Sequence, residues 1–155
     1  MISRVAPNEP IVPGAILAEL LVAGRYGKEF ADAELRRAGV DPDAYGFLSF
    51  VGTLQPVTRT RLGQASGLRR TTLRDAVSRM IELGHVEERP NPKDGRSTLL
   101  VLTPAGQAIF DKGQPAFGQL MFTLDQALDG RLHEYEDIVR RIRLAIQRLA
   151  GDEID

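Results

Sequence analysis

Residues 66–85 read SGLRRTTLRDAVSRMIELGH, and this stretch constrains the fold more than any other. Leu73, Ala76, Val77 and Met80 recur at i, i+3, i+4 and i+7, so one face of a helix is apolar. Thr71, Arg74, Asp75, Ser78 and Arg79 point the other way at helical spacing. Gly84 supplies the stop. Just upstream, Thr58 offers a hydroxyl cap to a short helix over 59–65, and Ser66-Gly67 makes a tight turn. Two short helices joined by a glycine-containing turn, the second with an Arg/Thr/Ser outer face, form a helix-turn-helix pattern.

The charge of the chain is unevenly spread. All 155 residues together carry a net charge of −1, but between Arg59 and Arg79 stand six arginines (59, 61, 69, 70, 74, 79) and one acid, Asp75. That window is +5 and the remainder −6. Clustered positive charge on a near-neutral protein points to a local anionic partner; a solvated helical face is the plainer alternative. Cysteine is absent, which removes disulfides, thiolate metal sites and cysteine nucleophiles together. No apolar run approaches the roughly 20 residues of a membrane span. The segment MISRVAPNEPIVPG lacks a signal-peptide pattern, and its prolines suggest an irregular arm. The protein is therefore expected in the cytoplasm, as one domain with a sizeable core.

Along the chain, residues 14–37 carry Ile16, Leu17, Leu20, Leu21, Tyr26, Phe30 and Leu35 at roughly helical spacing, with Gly39 as a stop. A second, well-buried helix is expected over 43–54, although two glycines weaken it. After the helix-turn-helix, 86–89 and 97–102 read as two strands joined through 90–96. Pro90 and Pro92 cannot donate ladder hydrogen bonds, so pairing should fade toward the tip. Thr103-Pro104 starts a helix running to about Leu128, which Gly113, Pro115 and Gly118 should kink or break. In a last helix Leu132, Tyr135, Val139, Ile142, Ile146 and Leu149 recur as a heptad seam. That seam packs either on its own domain or, as favoured here, across a subunit interface where Ile16 and Leu20 of the first helix offer a matching stripe.

A helix-turn-helix sets its second helix in the major groove of DNA. The hairpin behind it then lies beside the duplex, and an arginine at its tip, Arg96, suits the negative minor groove. Asp94 is expected to orient the Arg96 guanidinium, and Gly95 to give the turn its backbone angles. Thr71, Arg74 and Ser78 are the candidates for base edges or phosphate, and Arg70 and Arg79 for flanking phosphates. Arg69 and Thr72, at the start of the same helix, complete this face. Thr58, Arg59, Thr60 and Arg61 begin the first helix of the motif, where phosphate can be clamped. Asp75 is expected to pair with Arg79 one turn on. Arg89 could bond either the tip carbonyls or the backbone.

Residues 62–106 resemble the MarR family of winged-helix transcription regulators. The resemblance is carried by Leu68 to Thr72, Arg79-Met80 before Leu83-Gly84, Arg89, the Asp94-Gly95-Arg96 tip and Leu102-Thr103-Pro104-Ala105-Gly106. His85 and Arg61 depart from it, standing where the family usually has an aliphatic residue and commonly an acid. The resemblance implies a mainly α fold with a small β-hairpin wing: a winged helix-turn-helix lobe over 43–102, with N- and C-terminal dimerisation helices over 14–37 and 104–150. It implies a homodimer reading a palindrome in double-stranded DNA as a regulator of transcription, with repression expected. It also implies a pocket for a small effector; Tyr26, Phe30, Phe47 and Phe50 are the candidates to line it for an aromatic molecule, core packing being the simpler role for most of them.

Other functions are weaker. A winged-helix module that binds protein rather than DNA is the alternative, but its docking face would more often be apolar or aromatic than arginine-rich. No glycine-rich phosphate loop, metal-ligand cluster or nucleophile–base arrangement stands in the sequence, so neither an enzyme nor a cofactor is expected. His133 and Asp137 share a helical face, but one histidine without cysteine is poor metal chemistry.

Overall fold

The computed structural model describes residues 14–150. Residues 1–13, the greater part of the expected N-terminal arm, lie outside the described residues. Among the described residues six helices and three strands follow in order: α1 (Ile16–Arg37), α2 (Pro42–Leu54), β1 (Val57–Thr58), α3 (Arg59–Ser66), α4 (Arg70–Glu82), β2 (Val86–Pro90), β3 (Thr98–Leu102), α5 (Pro104–Ala127) and α6 (Leu132–Leu149). The fold is mainly α with a small antiparallel sheet, as the sequence implied. The chain forms two compact units, residues 30–117 and the segments on either side of them.

Within residues 30–117, α2 starts at an Asp41 cap whose side chain accepts from the Asp43 N–H at 3.1 Å, with Pro42 at the first helical position. Its inner face buries Ala44, Tyr45, Phe47, Leu48 and Val51. The glycines that weaken this helix on paper have separate roles. Gly46 looks into open space, but a Cβ on Gly52 would lie 2.6 Å from the Phe110 ring of α5. Gly113 is a socket of the same kind, since a Cβ there would overlap the Tyr45 ring. Of the kink or break expected in α5, the break does not occur: the helix is a single element from Pro104 to Ala127 that runs through Gly113 and Pro115. Gly113 is there to admit an aromatic ring rather than to end the helix.

The sheet has three strands in the order β1-β3-β2, all antiparallel. β1 went unforeseen because two residues carry no readable alternation. Its register sets Val57 opposite Leu100. Where β1 would continue, the Gln55 side chain accepts from the Leu102 N–H at 2.8 Å and donates to Gln107 Oε1 at 3.2 Å, closing that backbone donor. Pairing between β2 and β3 does not fade at Pro90, which sits opposite Thr98, and the Asn91 N–H still donates to the Ser97 carbonyl at 3.2 Å. The alternation of this ladder explains why. The bonded pairs that flank β2, His85 with Thr103 and Asn91 with Ser97, fall at odd-numbered residues, so Pro90 lies at a position whose nitrogen faces away from β3.

The core gathers Leu48, Val51, Val57, Leu62, Val77, Val86 and Leu100 from α2, α3, α4 and the sheet, each at 3% exposure or less. Burial of such a side chain contributes about 1.5–3 kcal/mol. A second cluster, Leu35, Val40 and Tyr45, is backed by Ile109, Phe110 and Ala116.

The other unit is different in kind. Among its described residues Leu120 alone is buried. α5 and α6 are joined by a tight reversal in which Asp129 and Gly130 take positive φ and Asp125 Oδ1 accepts from the Leu132 N–H at 3.0 Å. α6 is strongly amphipathic yet buries no residue. Leu21, Tyr26, Phe122, Ile138 and Val139 are each about half exposed or more. No described helix is long and apolar enough to cross a membrane.

Candidate nucleic-acid interface

The helix-turn-helix is built as its sequence dictates. Thr58 Oγ1 accepts from the Arg61 N–H at 3.2 Å and so caps α3. Gly67 ends α3 with φ 69°, a left-handed conformation suited to glycine. Gly63 brings α3 close against α4, a Cβ there lying 3.1 Å from Leu73 Cδ2. α4 buries Leu73, Val77 and Met80 and half-buries Ala76. Its other side leaves Arg70, Thr71, Thr72, Arg74, Asp75, Ser78 and Arg79 exposed, and Arg69 is exposed at its cap.

The exit of α4 is fastened to the base of the wing. Gly84, at φ 71°, and His85 close the helix with N–H bonds to Ile81 and Met80 carbonyls, both at 2.9 Å. The His85 carbonyl then accepts from the Thr103 N–H at 3.0 Å, and the Thr103 hydroxyl donates to the Gly84 carbonyl at 2.6 Å. The same hydroxyl oxygen accepts from the Gly106 N–H at 3.2 Å as the cap of α5. Gly106 must be glycine, because a Cβ would overlap the His85 carbonyl oxygen. His85 Nδ1 is buried without a hydrogen-bond partner.

The wing tip is a set of local hydrogen bonds. Asn91 Nδ2 donates to Ser97 Oγ at 2.8 Å, and Asn91 Oδ1 accepts from the Lys93 N–H at 3.0 Å. Asp94 meets Arg96 differently from expectation: its Oδ1 accepts the Arg96 backbone N–H at 3.1 Å and leaves the guanidinium alone. That is an Asx turn, and it shapes the tip without a special backbone at Gly95, which does not take positive φ. Asp94, Gly95 and Arg96 are all exposed.

Within the helix-turn-helix and wing, Arg59, Arg74 and Arg89 are already engaged. Arg59, at the start of α3, donates to Glu88 Oε1 of β2 from Nη2 at 3.0 Å and Nε at 3.3 Å. Thr98 Oγ1 donates to the same oxygen at 2.7 Å. The Thr98 hydroxyl does most to hold the Glu88 carboxyl below the ordinary glutamate range; burial opposes it, and the Arg59 guanidinium adds to the lowering by hydrogen bond and charge. Arg74 pairs with its neighbour Asp75 at 3.3 Å, so the Asp75–Arg79 pairing expected from helical spacing does not form. Arg89 bonds neither tip carbonyls nor backbone; it pairs with Glu87 at 2.6 Å on the outer face of the wing. Among the described residues Arg61, Arg69, Arg70, Arg79 and Arg96 enter no ion pair. Glu88 and Thr98 were not singled out from sequence. Arg59 and Glu88 stand 29 positions apart, and only the sheet register brings them together.

The four aromatic residues named for an effector pocket differ in burial. Phe47 belongs to the lobe core, Phe50 is partly exposed on α2, and Tyr26 and Phe30 are exposed on α1. Tyr45, which the sequence did not mark, is the centre of an aromatic cluster, with the Phe110 and Phe117 rings 6.5 and 6.1 Å away. Its hydroxyl is buried without a partner, and burial raises its pKa. An open groove of about 440 Å³ lies elsewhere on the lobe, bordered by Gln55, Pro56, Arg89, Pro90, Pro92, Leu99, Val101 and Leu102.

A capped two-helix motif with a basic outer face, followed directly by a hairpin pinned to its exit, defines a winged helix-turn-helix protein. Residues 38–97, most of this lobe, match the sequence model of the MarR family. Solved structures share the fold. The transcriptional regulator MOSR from M. tuberculosis, in complex with DNA, aligns with TM-score 0.66 and 21% identity over 87% of this chain and 97% of its own. Sco3205 from Streptomyces coelicolor, a MarR family transcriptional regulator in complex with DNA, gives 0.62 and 21% over 90% and 94%. Wild-type MarR from E. coli in its apo form gives 0.60 and 19% over 86% and 98%. No curated protein sequence matches.

Proposed function

We propose that this protein is a sequence-specific regulator of transcription that binds double-stranded DNA as a homodimer. The observation that carries the reading is the outer face of α4, with Arg70, Thr71, Arg74, Ser78 and Arg79 exposed together above a buried apolar face. Thr71, Arg74 and Ser78 read base edges, while Arg69, Arg70, Thr72 and Arg79 position the helix on phosphate. Thr58, Thr60 and Arg61 at the start of α3 hold the neighbouring backbone. The wing, with Asp94 shaping its tip, carries Arg96 toward the minor groove. Support for the dimer comes from the apolar faces of α1 and α6, where Ile16, Tyr135, Val139, Ile146 and Leu149 are exposed and Leu20, Leu132 and Ile142 half-buried; in a second copy they find a matching surface. In this reading residues 14–37 and 104–150 are the dimerisation part of one MarR-like domain, working in the cytoplasm without a cofactor and without catalysis.

Repression follows from occupying a promoter, and release by a small aromatic effector is the regulatory step. Two lobes related by a two-fold axis read a palindrome, so half-site spacing reports the lobe separation. In vitro selection from randomised duplexes with the purified protein tests this directly. The expected outcome is an enriched inverted repeat. Binding should weaken about 10³–10⁵-fold between 50 and 200 mM salt for about six to ten phosphate contacts. A pool that enriches nothing at low salt favours a protein-binding winged helix instead.

A further inference from the structure

An acid from the wing meets the first arginine of α3. Glu88 lies on β2, yet its Oε1 accepts from Arg59 on α3 at 3.0 and 3.3 Å and from Thr98 on β3 at 2.7 Å. A carboxylate oxygen receiving a guanidinium fork stands in for a phosphate oxygen, because both offer the same acceptor geometry to arginine. Arg59 and Glu88 remain 38% and 36% exposed, which places them among weak surface pairs that a stronger anion can displace. The acid itself is less free than its partner, since the Thr98 hydroxyl ties it to the neighbouring strand. Arg74 also meets an acid, but Asp75 is its sequence neighbour and both side chains are about 70% exposed. Glu88 is instead brought to Arg59 by the tertiary fold.

We infer that Glu88 is a built-in counter-anion that occupies Arg59 and limits how strongly the lobe grips a duplex of any sequence. The inference rests on the DNA-binding reading above and assigns that surface an internal restraint. With the carboxylate in place, Arg59 gains little by moving to phosphate, because it must abandon one anion for another. With the carboxylate neutralised, Arg59 adds one phosphate contact and releases its counterion. Restraining sequence-independent affinity leaves a larger share of the binding energy to base contacts.

The test is fluorescence anisotropy of the full chain on a mixed-sequence DNA duplex over a salt series. It compares wild type, Glu88→Gln, Arg59→Ala and the double variant. Gln keeps an acceptor for Thr98, and Glu88→Ala serves as a second neutral variant should Gln disturb the strand. The expected result is several-fold tighter binding by Glu88→Gln at low salt. Its plot of log K against log salt should be steeper by about 0.9, the increment for one phosphate. In the Arg59→Ala background the gain should vanish. Binding by both neutral variants that equals or falls below wild type overturns the inference, as does a gain that survives without Arg59. A wild-type protein that binds no duplex at low salt overturns the DNA-binding reading itself, an outcome distinct from both.

Discussion

The Thr103 hydroxyl donates to the Gly84 carbonyl at 2.6 Å, joining the end of the wing to the exit of α4. The same oxygen caps α5 through the Gly106 N–H at 3.2 Å. One side chain thus fixes the relation of the exposed helix, the hairpin and the following helix. Thr103→Val keeps the shape and removes both bonds. It should cost about 1–2 kcal/mol, the scale of a lost N-cap. Chemical denaturation reads this, and an unchanged midpoint would show that the hydroxyl is incidental.

Glycines in helices here are of two kinds. Gly113→Ala drives a methyl into the Tyr45 ring and should destabilise by about 1–3 kcal/mol through overpacking. Gly46→Ala meets open space on α2 and should be neutral or stabilise by up to about 1 kcal/mol. Thermal melts of the two variants should move in opposite directions or differ clearly. Equal shifts would mean that the Gly113 socket relaxes.

Arg96 is exposed at the tip and takes part in no ion pair among the described residues. Arg96→Ala should leave the melting temperature within error of wild type and weaken binding to a selected operator about tenfold, the scale of one charge-assisted contact. Full operator affinity in this variant would remove the wing from the interface.

Glu88 has a lowered folded-state pKa, set first by Thr98 and then by Arg59. Its contribution to stability is therefore present above the ordinary glutamate range and is lost as pH falls through the lowered value. Wild type should exceed Glu88→Gln in stability near neutral pH by less than about 1 kcal/mol, as for exposed pairs. The difference should close in acid. Urea titrations in a pH series measure it; a difference that widens on acidification would contradict the assignment.

Val139 lies half exposed on an α6 that buries nothing within one chain. In the proposed homodimer Val139→Asp places a charge in the subunit contact. Sedimentation velocity should then report a shift from dimer to monomer, with operator affinity falling in parallel. A variant that sediments as wild type would move the interface elsewhere.

Much of this architecture was legible before any coordinates. Thr58, Gly67, Gly84 and the Thr103-Pro104 pair are local signals, acting through φ angles and capping bonds within a few residues. They marked α3, α4 and the start of α5 to within a residue or two. Glycine and proline inside α5 misled, because a breaker is defined by local propensity and Gly113 answers instead to a ring from another helix. β1 was illegible for a related reason, since two residues become a strand only when Leu99 and Leu100 lie alongside.

The sequence by itself determined the periodic apolar faces, the caps and the concentration of arginine between 59 and 79, because these depend on neighbours along the chain. Tertiary structure decided which of those arginines are occupied. It set Arg59 against Glu88, 29 positions away, whereas Arg74 pairs with its own sequence neighbour Asp75. Side-chain reach and strand register set these pairings, and neither is written in spacing alone.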